Sequence, residues 1–180
     1  MARILVLYGT TEGQTAKIAK AMAATLEGLG LDTVVIEAGT CDPLPQHYAA
    51  VIVAASVHAG SYQREVGRWV REHVGQMATM PAAFVSVCLA VAHREPKAVA
   101  EAQAIVDRFL DEARWHPAMS KIVAGALLYT RYSILKRWIM KRIVAKQGGD
   151  TDTSRDYEYT DWNDVRAFAG EFARRVSAAA

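Results

Sequence analysis

The chain has 180 residues, 52% of them hydrophobic and 22% charged, with a formal charge of +2 at neutral pH. That combination describes one globular domain, 1–180, with a full core, and argues against a surface basic enough to hold nucleic acid. Cys41 and Cys88 stand far apart without CxxC spacing, so neither a disulfide framework nor a metal site is expected and a reducing, cytoplasmic compartment is.

Ile4-Leu5-Val6-Leu7 is an apolar run, half of it β-branched, as a strand covered on both faces requires. Behind it Ile18, Met22, Leu26 and Leu29 recur at helical spacing. The loop between, Gly9-Thr10-Thr11-Glu12-Gly13-Gln14-Thr15, is rich in glycine and hydroxyls. Its glycines allow turns closed to other residues. The hydroxyls of Thr10, Thr11 and Thr15, the Gln14 amide and the backbone N–H groups opening the helix offer donors to one anion. The spacing is neither GxGxxG nor the P-loop pattern, and no Lys or Arg falls between Gly9 and Thr15. A nucleoside triphosphate would lack its cation there; a single phosphate monoester fits better. Glu12 would repel such an anion, so its side chain is expected to point to water. An ordinary strand-to-helix turn is the competing reading.

This loop resembles the first loop of the flavodoxins, a hydroxyl-rich, glycine-containing turn of the same length that holds the FMN phosphate without a cationic side chain. The resemblance implies an α/β, flavodoxin-like, doubly wound five-stranded parallel sheet of order 2-1-3-4-5. FMN would be its cofactor, bound beyond the carboxyl ends of strands one, three and four. The slightly basic charge departs from the flavodoxin carriers, which are as a family markedly acidic.

Further along, the first helix is expected to end around Gly28-Leu29-Gly30, and Asp32–Glu37 reads as strand two. Gly39 to Pro45 is loop, and Tyr48 to Ser56 is a central, wholly apolar strand three. Ser56-Val57-His58-Ala59-Gly60, continuing to Tyr62, forms the second candidate ligand loop. Glu65 to Val74 reads as a helix with Val66, Trp69, Val70 and His73 inward, and Ala82 to Leu89 as strand four. Its end, Ser86-Val87-Cys88-Leu89, opens the third loop. His58 and Tyr62 can lie against a flavin or serve as a solvated histidine and a packing tyrosine; Cys88 can touch the ring or be a small buried residue. His93 and Arg94 stand near the expected pocket mouth. His47, His73 and His116 share no metal-ligand spacing. A helix from about Pro96 to Arg114 carries Val99, Gln103, Val106 and Leu110 on one stripe. Strand five is Lys121 to Leu127, with Gly125 at a close backbone approach. The apolar runs near Val51 and Val123 fall well short of the roughly 20 residues of a spanning helix, and no signal-peptide pattern is read ahead of strand one.

Leu128 to about Tyr159 is a long insertion after strand five. Tyr129, Arg131 and Tyr132 lead into a segment in which Ile134, Leu135, Trp138, Ile139 and Ile143 recur at three and four. Arg131, Lys136, Arg137, Lys141, Arg142 and Lys146 give it six cations and no acid. A helix with one greasy aromatic face and a basic rim suits a membrane surface or a flat, anionic, apolar ligand; a core-packing helix with a solvated basic side is the alternative. Gly148-Gly149 would end it. Asp161 would cap a final helix from Trp162 to Val176, with Asp164 in the capping-box position.

Over nearly its whole length the chain is similar to the bacterial menaquinone-dependent protoporphyrinogen IX dehydrogenases. The match rests on Thr10 with Gly13-Gln14-Thr15, Ala55-Ser56 with Gly60 and Tyr62, and Met80-Pro81 with Phe84, Ser86-Val87 and Leu89. It continues through Trp115 and Pro117, Ala124-Gly125-Ala126-Leu127 with Tyr129 and Arg131-Tyr132, Gly148-Gly149 with Thr151-Asp152-Thr153, and Tyr159-Thr160-Asp161-Trp162. The resemblance implies FMN-dependent oxidation of protoporphyrinogen IX to protoporphyrin IX in heme biosynthesis, in three two-electron steps. Menaquinone or ubiquinone would take the electrons, and the protein would adhere peripherally to the cytoplasmic face of the inner membrane. Arg131, Arg137 and Lys141 are then candidates to attract the propionates, and Tyr129, Tyr132 and Trp138 to cover the macrocycle or meet the lipid. No side chain stands out as a general base. An NAD(P)H-dependent flavin or quinone reductase, or a non-enzymatic electron-transfer module, are the other readings of the same FMN site.

Overall fold

The computed structural model describes residues 3–131, 138, 142 and 152–179. Strands β1 (Arg3–Gly9), β2 (Asp32–Glu37), β3 (Ala50–Ser56), β4 (Ala82–Cys88) and β5 (Met119–Ala124) form one parallel sheet in the order β2-β1-β3-β4-β5. Helices α1 (Gln14–Gly28) and α4 (Trp162–Ala179) cover one face; α2 (Arg64–Met77) and α3 (Pro96–Ala113) cover the other. The alternation of β1 shows why the order forms. Ile4 and Val6 point to α1 and α4, Leu5 and Leu7 to α2 and α3, and all four are inaccessible. Each buried side chain of this size contributes about 1.5–3 kcal/mol, which only a strand sandwiched on both sides collects along its whole length.

Three expectations change in detail. Leu29 is 58% exposed: the helix stops at Gly28, Gly30 takes φ +84°, and the apolar face of α1 ends at Leu26. In α3, Val99 is 39% exposed and Gln103 bonds Asp107 at the surface, 2.8 Å away. That helix sits instead on Ala102, Val106 and Ala113, because small side chains let it approach the sheet. The expected single strand from Lys121 to Leu127 is in fact two. β5 stops at Ala124, and Ala126–Leu127 becomes β6, antiparallel to β7 (Tyr157–Glu158) in a separate two-stranded sheet. Gly125 is the break, and a Cβ there would lie 3.3 Å from Val87 Cγ1.

The insertion therefore leaves the core at Gly125 and returns at Thr160, and β6 with β7 is its neck. Within the neck Tyr129 is fully buried with Ala126, Leu127 and Leu128, and Asp156 accepts from both the backbone N–H and the hydroxyl of Thr130, at 2.9 and 2.8 Å. Tyr129 thus packs inside the neck. Arg131 ends the short turn that begins at Tyr129. Trp138 and Arg142 are helical. Tyr132, Arg137, Lys141 and Gly148-Gly149 lie outside the described residues. Asp161 caps α4 as expected, its Oδ1 accepting from the N–H groups of Asn163 and Asp164 at 3.0 and 3.1 Å. Asp164 does not close a capping box: its carboxylate is taken by Lys121 Nζ of β5, 2.5 Å away. Among the described residues no helix is long and apolar enough to cross a membrane.

Candidate functional site: an anion nest beside the neck of the insertion

The carboxyl end of β1 meets α1 through a loop shaped by its own side chains. Thr10 Oγ1 accepts from the Gly13 N–H at 2.8 Å, and Gly13 takes φ +94°, a conformation that favours glycine. The Thr10 hydroxyl is thereby a builder of the turn. Gly9 is needed for a different reason, since a Cβ there would stand 2.5 Å from Val66 Cγ2 of α2. Glu12, between the two glycines, is half-buried.

The electrostatics of the loop fit a phosphate. Among the described residues, the buried side-chain polar atoms without a hydrogen-bond partner are Thr15 Oγ1, Gln14 Oε1 and Gln63 Oε1, all on or against this loop. A buried hydroxyl left unpaired costs about 1–3 kcal/mol, and Thr15, wholly inaccessible, stands in the first turn of α1, where backbone N–H groups lack helical partners. A phosphate at that place would satisfy both and meet the positive end of the helix. The nearby cation is already neutralised: Lys17 Nζ pairs with Glu158 Oε2 at 3.0 Å.

The Gln14 side chain corrects the sequence reading. Thr160 has one hydroxyl proton, donated to the Ala124 carbonyl at 2.8 Å. It can therefore only accept from Gln14, whose Nε2 lies 2.9 Å away. The amide faces the neck of the insertion, and what Gln14 offers an anion is its backbone N–H.

The second loop is a tight turn in which His58 and Ser61 exchange backbone hydrogen bonds of 2.8 and 3.1 Å. Ala59 and Gly60 take φ +48° and +77°, the mirror-image turn that suits twisted strands and normally selects Gly or Asn. From α3, Arg108 Nη2 donates to the Gly60 carbonyl at 2.5 Å. Gln63, which the sequence reading passed over, joins the first two loops: its Nε2 donates to Thr11 Oγ1 at 3.0 Å and Ser56 Oγ at 2.7 Å. The only local signal was an amide directly before a helix.

In the third loop Ser86 is buried and accepts from the Tyr62 hydroxyl at 2.8 Å, so its side chain is turned into the core. Burial pushes the Tyr62 phenol up to about 12. Its ring packs edge-on against Phe84 and Phe109, the packing alternative of the two considered. Val87 and Cys88 are likewise buried, and desolvation raises the Cys88 thiol despite backbone N–H groups at Ala90 and Val91. The two adjacent loops expose His58, Ala59 and Ser61 on one side and Ala90, with half-buried Leu89, on the other. His93 meets Tyr159 edge-on at 5.4 Å and Arg94 reaches Asp161 at 4.0 Å. Both thus touch the segment that returns from the insertion. Trp138 is 53% exposed with the Arg142 guanidinium 4.2 Å over its ring. His73, grouped with Asp42 and Glu72, uses its two ring nitrogens on Asp42 and Gln76 and so fastens the loop after β2 to α2.

A parallel sheet with a cation-free anion nest after its first strand defines a flavodoxin-type domain, and the flavodoxin domain family model matches residues 5–154. Solved flavodoxins share the fold: flavodoxin 1 of Bacillus cereus has a TM-score of 0.58 at 14% identity, over 96% of this chain and 98% of its own. An archaeal flavodoxin has 0.56 at 13% identity, over 97% and 99%. FMN is the cofactor this fold implies, and the residues present fit it. Among curated proteins the chain is 35% identical over 172 residues to the protoporphyrinogen IX dehydrogenase [quinone] of Escherichia coli strain K12, covering 95% of this chain and 94% of that one. It is 34% identical to the protein of the same name from Leishmania major, over 95% and 74%. The chain belongs to this family of quinone-dependent protoporphyrinogen IX dehydrogenases within the flavodoxin-type domains.

Proposed function

We propose that this protein oxidises protoporphyrinogen IX to protoporphyrin IX, with FMN in the nest after β1 and a quinone as final acceptor. The observation that carries the reading is the unpaired, fully buried Thr15 hydroxyl at the start of α1, in a chain whose near full-length relatives bear that enzyme's name. FMN, when bound, supplies a centre that accepts two electrons and passes them on. The protein's own part is placement. Thr10 and Gly13 set the loop, the Thr15 hydroxyl and the N–H groups of the first turn hold the phosphate, and Gln63 fixes the spacing of loops one and two. Ser56, Ser86 and Cys88 serve this scaffold, while His58, Ala59 and Leu89 border the space for the flat ring system.

The insertion supplies the substrate side. Its basic residues Arg131, Arg137 and Lys141 draw the two propionates, and Tyr132 covers the macrocycle. The exposed Trp138–Arg142 pair is suited to the membrane interface, where an indole sits at headgroup level and a cation meets anionic lipid. That supports peripheral docking on the cytoplasmic face of the inner membrane, where menaquinone or ubiquinone is dissolved. Anaerobic mixing is the test. Protoporphyrinogen should bleach the flavin absorbance and quinone should restore it; bleaching by NADPH and not by porphyrinogen overturns the reading. Charge reversal at Arg131 and Arg137 should raise KM for porphyrinogen and reduce vesicle binding, and no change in either removes these residues from the substrate side.

A further inference from the structure

The start of α1 does two things at once. One side of it presents the anion nest. The other side holds the neck of the insertion, through Gln14 Nε2 on Thr160 Oγ1 at 2.9 Å and Lys17 Nζ on Glu158 Oε2 at 3.0 Å. The neck is tied in turn to the end of the main sheet: Thr160 Oγ1 donates to the Ala124 carbonyl and the Tyr159 N–H to the Gly125 carbonyl, at 2.8 and 3.1 Å. Glu158 also accepts from Trp162 Nε1 at 2.8 Å, which brings the first turn of α4 into the same cluster. The Gln14–Thr160 bond is buried and joins residues 146 positions apart. Gln14 and Thr15, adjacent in sequence, each keep a buried polar atom unpaired.

We infer that Gln14, Lys17, Thr160 and Glu158 form a clamp through which an occupied phosphate nest fixes the neck of the insertion, so that FMN binding and substrate capture reinforce one another. An anion that orders the first turn of α1 also orders the backbone from which the Gln14 and Lys17 side chains project. That rigidity passes directly to β7 and Thr160, with no intervening loop. Gln14 and Thr160 are positioning residues in this scheme. Coupling of this kind is reciprocal: whatever factor FMN adds to the affinity for the macrocycle, the macrocycle adds to the affinity for FMN. The part concerning the macrocycle rests on the proposed function above; the part concerning the neck does not.

Two measurements test them separately. In the first, hydrogen exchange is followed on apoprotein with and without FMN. In the parent chain FMN should slow exchange in peptides covering 126–130 and 157–161 by about fivefold or more, the lower range of measured couplings, along with the loop at 10–15. Thr160→Val should keep the protection at 10–15 and lose it at the neck. Lys17→Met, a change of an exposed side chain that leaves the core intact, should weaken it. Equal neck protection in parent and both variants, or protection of 10–15 alone in the parent, overturns the clamp. In the second, FMN is titrated into apoprotein with and without protoporphyrin IX. FMN should bind more tightly with porphyrin present in the parent and equally with or without it in Thr160→Val. Porphyrin that binds neither protein, with neck protection intact, overturns the proposed function and leaves the clamp standing. Porphyrin binding that tightens FMN equally in both proteins overturns the coupling.

Discussion

Removing the Thr15 hydroxyl should act in opposite directions on the empty and the loaded protein. Thr15→Val deletes a buried, unpaired oxygen, so the apoprotein should be as stable as the parent or up to about 1 kcal/mol more so in urea unfolding. FMN affinity should fall about tenfold, as loss of one hydrogen bond to a charged partner implies; a loss of apoprotein stability with unchanged FMN affinity would remove the hydroxyl from the nest. Ala59 gives a second residue-level case. It holds φ +48° in the second loop, where an L side chain costs about 1–2 kcal/mol. Ala59→Gly relieves that cost and returns part of it as unfolded-chain entropy. A net gain of about 0.5 kcal/mol in urea unfolding is expected. The contrast between Thr15 and Gln63 explains how far such sites can be read from sequence. Thr15 could be nominated from sequence because the loop is contiguous, with donors, glycines and helix start all within it. Gln63 could not, because its meaning comes from Thr11, 52 positions away, and no local pattern encodes that distance.

At the scale of elements, helix ends are where local sequence is most decisive. Asp161→Ala should cost about 1 kcal/mol, the usual worth of a cap, read as a lower urea midpoint at unchanged m-value. Its two N–H partners are at 3.0 and 3.1 Å. Strands were legible for a related reason: continuous apolar runs at β1, β3 and β4 have no other stable place than a sheet covered on both sides. The split of β5 was harder. Ala126 and Leu127 continue the apolar run of the strand before them, and only their pairing with Glu158 and Tyr157, a partner strand distant in sequence, takes them out of the main sheet. The face of α3 was misjudged because alanines carry little weight in an apolar pattern and much in close packing, as Ala102 and Ala113 show.

For the whole molecule, the neck cluster links stability to acidity. Partial burial works against the charge of Glu158, but hydrogen bonds from Lys17, Trp162 and Gln14, with the Lys17 charge, outweigh it and hold the carboxyl below its ordinary 4.5. A carboxyl depressed on folding contributes stability that is present above its unfolded value and lost as pH falls through the folded one. Glu158→Gln should therefore lower the melting temperature near neutrality and make the decline below about pH 4.5 shallower. A parallel shift of the whole melting curve at every pH would assign Glu158 a packing role only.

The pairing of α1 with α4 has a consequence for synthesis. Ile18, Met22 and Leu26 near the start of the chain find their cover in Phe168, Phe172 and Val176 near its end. During translation the amino-terminal half can lay α1 on β1, β2 and β3, but the part of its apolar face that meets α4 emerges bare. Nascent chains stalled before Asp161 should stay bound to chaperones and sensitive to protease. The FMN-competent form should appear only once Trp162–Ala179 has emerged.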